Sequence, residues 1–95
     1  MRITRMMVLN TAHLRGTTAH ALNSWARLPL AAQPLAVATT QCGWLVPTRD
    51  DGLVLGKSVP PELADILAFA RSRDCAHVLF DSDGPVEPTL LRFPW

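Results

Sequence analysis

Short apolar runs alternate along this chain with stretches in which apolar residues recur at helical spacing. Ile3 to Leu9 closes on four consecutive apolar residues, Met6-Met7-Val8-Leu9, and reads as a strand inside a sheet. Gly16-Thr17-Thr18 offers turn and cap chemistry, because a threonine oxygen accepts a free amide at a helix start. Thr18, Ala21, Leu22, Trp25 and Ala26 then share one helical face. Pro29 ends that helix by Leu28, since proline is excluded from a helix interior, and Leu30 to Pro34 is a connector. Leu35 to Thr40 favours extended structure through Val37, Thr39 and Thr40. Gln41-Cys42-Gly43 is a turn and Trp44-Leu45-Val46 a third strand, so the pair reads as a hairpin.

Thr48-Arg49-Asp50-Asp51-Gly52 is a polar loop with an Asp-Gly turn signal. Leu53-Val54-Leu55 between glycines predicts a short edge strand. Pro60-Pro61-Glu62 opens a second helix, because proline in the first turn sacrifices an amide that would lack a partner anyway. Leu63, Ile66, Leu67 and Ala70 give it an apolar stripe, and Glu62 and Asp65 at its start with Arg71 and Arg73 at its end suit the helix dipole. Cys75 to Phe80 is a fourth strand, terminated by Asp81-Ser82-Asp83-Gly84-Pro85, and Leu90 to Phe93 predicts a last one. The order β-α-β-β-α-β predicts an α+β fold in one domain over residues 1–95. It is a two-layer sandwich, two helices on one face of a mostly antiparallel sheet, with a ferredoxin-like arrangement as the first choice.

Composition narrows the function classes. Hydrophobic content of 48% with 18% charged residues fits a folded globular chain. A net charge of +1 is too small for a protein that coats nucleic acid and has the wrong sign for one that imitates it. No apolar run approaches the ~20 residues of a membrane span. Met6 to Leu9 is also shorter than the ~7–15-residue apolar region of a signal peptide. Cytoplasmic residence is therefore the expectation, with no membrane partner, and Cys42 and Cys75 are expected as buried thiols.

Catalytic chemistry finds one suggestive stretch. Val78-Leu79-Phe80-Asp81-Ser82-Asp83-Gly84 resembles the first motif of the haloacid-dehalogenase-like phosphatases, which implies a nucleophilic first aspartate and an acid–base second one. Eleven residues follow Gly84, and none is a lysine or an aspartate, so the electrophilic and metal-binding partners of that chemistry are missing from its usual place. Asp81 and Asp83 read as turn residues that hydrogen-bond their own backbone, with a divalent-cation site as the alternative. His13, His20, His77, Cys42 and Cys75 have no zinc-ligand spacing. Ser24, Ser58 and Ser72 lack a base, and Cys42 lacks a helix start to lower its pKa. With antiparallel first and fourth strands, His13 and Asp81 leave opposite ends of the sheet and cannot pair. No cofactor or metal is expected, and no enzyme.

Aromatic residues point instead to a surface. Trp25 and Phe80 are expected in the core. Phe69 lies with Asp65 and Arg73 outside the apolar stripe of the second helix, spaced four apart so that their side chains share one line. An aromatic flanked by both signs of charge suits the centre of a compact interface. The alternative places Phe69 beneath the 48–58 loop. Asp50 and Asp51 extend the patch if that loop folds beside the helix.

Asn10-Thr11-Ala12-His13-Leu14, Thr18-Ala19-His20-Ala21-Leu22-Asn23, Gly43-Trp44, and the run from Pro61 to Arg71 carry a wider resemblance. It continues through Cys75, Val78 to Gly84, and the closing Phe93-Pro94-Trp95. In these residues the chain resembles a family of short bacterial proteins of unknown function carried by integrative conjugative elements and plasmids. Residues 26–41 and 47–58 diverge. The resemblance implies a mobile-element accessory protein without a known catalytic role. The expected function is protein–protein binding to a host protein or complex, as an inhibitor of a defence system such as an anti-CRISPR. The alternatives are an orphan metal- or ligand-binding domain using Asp81 and Asp83, or a structural helper of plasmid transfer or maintenance.

Overall fold

The structure is a computed structural model that describes residues 1–33, 35–48 and 59–94. Four strands and two α-helices follow in the order β1 (Arg5–Asn10), α1 (Gly16–Ala26), β2 (Ala38–Thr39), β3 (Gly43–Pro47), α2 (Pro61–Ser72) and β4 (Cys75–Asp81). One-turn 3₁₀ helices at Thr11–His13 and Leu30–Ala32 punctuate the connections. The α+β class predicted from the pattern is the class observed.

The sheet order is β1-β4-β3-β2. β2 and β3 form the expected antiparallel hairpin, and β3 pairs antiparallel with β4. β1 lies beside β4, as a ferredoxin-like arrangement requires, but runs parallel to it, Val8 opposite Leu79 and Asn10 opposite Asp81. The sheet is therefore mixed, and the ferredoxin-like order holds only approximately. The register skips Ala76, a bulge between Arg5 and Met6 in the pairing, which lets Cys75 point into the core while His77 points out.

Cross-strand alternation sorts the residues by face. Trp44, Val46, Val78, Phe80 and Leu9 are buried on one side, under Leu14, Ala19 and Leu22 near or on α1 and Leu63, Ile66, Leu67 and Ala70 of α2. Both helices thus cover one face, and the apolar stripe read for α2 is its buried stripe. Trp44 Nε1 donates to Asn23 Oδ1 of α1 at 2.8 Å, so the indole fills the core without leaving its N–H unpaired. Gly43 is required because a Cβ there would meet the Phe80 carbonyl oxygen at 1.7 Å.

Several expectations are corrected. Leu90 to Phe93 forms no strand. The segment crosses the top of the molecule, where Phe93 N–H donates to Ala12 O and Leu90 packs on the core. The extended 35–40 stretch pairs through Ala38 and Thr39 alone, because Leu35 and Val37 turn into the core instead. α1 begins at Gly16, before the threonines read as its cap. The strand predicted at Leu53-Val54-Leu55 and the patch residues Asp50 and Asp51 lie outside the described residues.

Candidate functional site

α2 presents Asp65 and Arg73 to solvent and leaves Phe69 half-buried between them. The Arg73 guanidinium lies over the Phe69 ring, 5.0 Å from its centroid, a geometry in which the ring's negative face attracts the cation. Phe69 and Arg73 line a groove of about 180 Å³ with Met7, Val8 and Leu9 of β1 and Pro85, Val86 and Glu87 of the C-terminal segment. Phe69 thus faces the outer strand of the sheet across this groove. Asp65 belongs to a neighbouring hollow of about 210 Å³, lined by His13, Glu62, Ile66, Leu90, Leu91 and Phe93 among others. Phe69 and Arg73 are therefore brought together, and Asp65 stands one groove away.

The groove's outer wall is held by a histidine. His13 is 1% exposed; its Nε2 accepts the Glu87 N–H at 2.9 Å, and Nδ1 lies 2.7 Å from Leu91 O. The neutral tautomer with its proton on Nδ1 satisfies both bonds. Sequence reasoning put His13 and Asp81 at opposite ends of the sheet. The parallel pairing of β1 and β4 puts them at the same end instead, yet the ring is already engaged by the C-terminal segment. Glu87 in turn accepts from the Thr89 N–H and hydroxyl, both at 2.8 Å. These bonds, the backbone one foremost, hold its carboxyl below the ordinary glutamate value, with smaller help from the Arg73 charge against some desolvation.

A second convergence involves the phosphatase-like stretch. Asp81 Oδ1 accepts the Asp83 N–H at 2.8 Å, the backbone-mimicking turn expected from the sequence. The β2–β3 turn adds a donor that sequence reading missed. The Ser82 N–H donates to Cys42 O at 3.0 Å; Cys42, expected to be buried as Cys75 is, is exposed in this turn, and its thiol lies with the Asp81 and Asp83 carboxylates within 4.8 Å of one another. Forty residues separate Cys42 from this pair, so no local spacing announced it.

Fold and surface together define a small α+β protein whose described residues offer an aromatic–cation groove rather than an assembled acid–base–nucleophile set. The chain belongs to a family of unknown function, DUF5983, whose C-terminal domain matches residues 6–95. No curated protein and no solved structure matches the chain. Among the described residues, no helix is long and apolar enough to cross a membrane.

Proposed function

We propose that this chain is a non-catalytic accessory protein of mobile genetic elements that works by covering a surface of a host protein. Its target class is a defence system, in the manner of an anti-CRISPR. The Phe69–Arg73 pair in its groove carries this reading. A half-buried aromatic beneath a guanidinium is an anchor of the kind that dominates binding energy at interfaces, and Arg73 supplies charge at its rim. The net charge of +1 argues against wholesale occupation of a nucleic-acid site and for a protein surface.

The test is an interference assay in bacteria carrying an active CRISPR system, read as plaque formation or plasmid retention. The wild-type chain is expected to relieve interference, and Phe69→Ala or Arg73→Glu to lose relief at least ~30-fold, as truncating a ~2 kcal/mol anchor implies. Circular dichroism establishes that the variants remain folded. Relief unchanged in both folded variants would move the interface elsewhere.

The Cys42–Asp81–Asp83 convergence favours a second reading, a metal-binding domain. A thiolate with two carboxylates offers three donors, fewer than a Ca²⁺ site needs and one short of a structural zinc site. Calorimetric titration with Zn²⁺ and Mg²⁺ decides it. Our first reading expects no micromolar binding; such binding, abolished by Asp81→Ala, would support the second.

A further inference from the structure

β1 is an edge strand, first in the sheet order β1-β4-β3-β2. In a parallel pair alternate residues of a strand bond to the neighbour, and those between direct their N–H and C=O groups away from it. The Asn10 N–H donates to Pro85 O at 2.9 Å, so Asn10 belongs to the outward set. Val8 and Met6 alternate with it and belong to the same set. Among the described residues, no group bonds to the outward backbone of either.

Edge strands are ordinarily blunted by shortness, by lysine or proline, or by a bulge. β2, at the other edge, spans Ala38–Thr39 alone. β1 is six residues long, and its Met6-Met7-Val8-Leu9 run contains no charge and no proline. The bulge in its pairing with β4 precedes Met6 and leaves that run regular.

We propose that the protein partner binds here, as an extended strand added to the open edge of β1. The proposal rests on the reading that this chain covers a protein surface, and it specifies the segment engaged. Backbone chemistry selects the occupant. The N–H and C=O groups of Met6 and Val8 recur at the two-residue interval that another extended backbone satisfies in full.

Position supplies the side-chain preference. Leu9 and Met7 turn toward the helices, Leu9 buried and Met7 packed on the core. Every second side chain of an added strand turns the same way, into the groove between β1 and α2. There Phe69, Met7 and Val86 offer apolar walls, so that position takes an apolar residue. Arg5 pairs with Cys75, which puts it at the same end of the sheet as Arg73, and both are exposed. These two cations outnumber Asp74 beside them. An acidic residue toward this end of the added strand completes the match.

Selection of a displayed random heptapeptide library on the purified chain supplies the probe. A synthetic copy of the selected peptide is expected to bind and to slow hydrogen exchange at the Met6 and Val8 amides. N-methylation along the peptide should weaken binding at every second position by at least ~10-fold, the effect of one hydrogen bond left unmade. The positions between should tolerate it. Val8→Pro deletes an outward N–H and spares the β4 ladder, so it should lose binding by a similar factor with unchanged circular dichroism. If that variant unfolds, the methylation scan still reads the wild-type chain.

A library that yields no binder overturns the proposal, as does a methylation scan without the two-residue period. Unchanged exchange at Met6 and Val8 does the same. A wild-type dimer that Val8→Pro dissociates would also overturn it, because the edge would then serve a second copy. Defence relief lost in Phe69→Ala but intact in folded Val8→Pro would sink strand addition alone. Peptide binding at the edge by a wild-type chain that relieves no interference would sink the defence reading alone.

Discussion

Glu62 shows how one side chain ties distant elements together. It was read as an acid suited to the start of its own helix, α2. The structure also places it at the start of α1. There its Oε2 accepts the Arg15 N–H at 3.1 Å and the Thr18 hydroxyl, and the Arg15 side chain lies 3.9 Å away. α1 has no side-chain cap of its own, so a carboxylate 47 positions later in the chain meets the positive ends of both helix dipoles. Glu62→Ala is expected to cost about 2–3 kcal/mol, from two lost bonds to a charged acceptor and a buried threonine hydroxyl left unpaired. Urea unfolding checks it, and a loss below ~0.5 kcal/mol would mean that water replaces the carboxylate. Asp74 makes the complementary point. It adopts φ 60° just beyond α2, the left-handed position where Asp is one of the few non-glycine residues tolerated; a solvent-exposed aspartate in the sequence carries no mark of that geometry.

At the scale of elements, the C-terminal segment differs most from its sequence reading. Leu90-Leu91-Arg92-Phe93 has strand-like composition but forms no strand. It is bound by side chains and isolated backbone contacts: His13 with Glu87 N and Leu91 O, Arg15 stacked 4.5 Å over the Phe93 ring, and Phe93 N with Ala12 O. These partners lie 74 or more positions apart, beyond any local periodicity. Glu87 makes part of this attachment dependent on pH. Its folded-state pKa is lowered, so the ionised form is favoured by folding. Its contribution is complete above the ordinary glutamate pKa of ~4.3 and fades as pH falls through the lower folded value. The Thr89 amide resonance should therefore titrate with a midpoint below the ordinary glutamate value and lose its exchange protection there, while Glu87→Gln abolishes the titration. A midpoint at or above the ordinary value would refute the bonding seen. α2 is the opposite case: its boundaries, buried stripe and dipole-compatible charges were all legible, because an amphipathic helix writes its partners into its own spacing.

For the molecule as a whole, local pattern and long-range pairing divide the determination between them. The sequence by itself determined the β-α-β-β-α-β order, the α+β class, the hairpin around Cys42-Gly43, the apolar stripe of α2 and the position of Phe69 outside it. Each follows from intervals of two to four residues, or from proline and glycine stereochemistry, and needs no knowledge of what lies across the fold. Local pattern could not say that the strands would align Val8, Leu79 and Leu45 into one row, because register is a relation between strands. Only the tertiary structure decided that β1 lies parallel beside β4, and hence that His13 and Asp81 share an end of the sheet. It alone joined Cys42 to Asp81 and Asp83, set Glu62 at the start of α1, and placed Phe69 across a groove from β1. The physical reason is common to all of these. Strand direction and order are chosen by the burial of Phe80, Val78, Leu9 and Trp44 beneath two helices at once, a cooperative outcome of packing that no segment encodes alone.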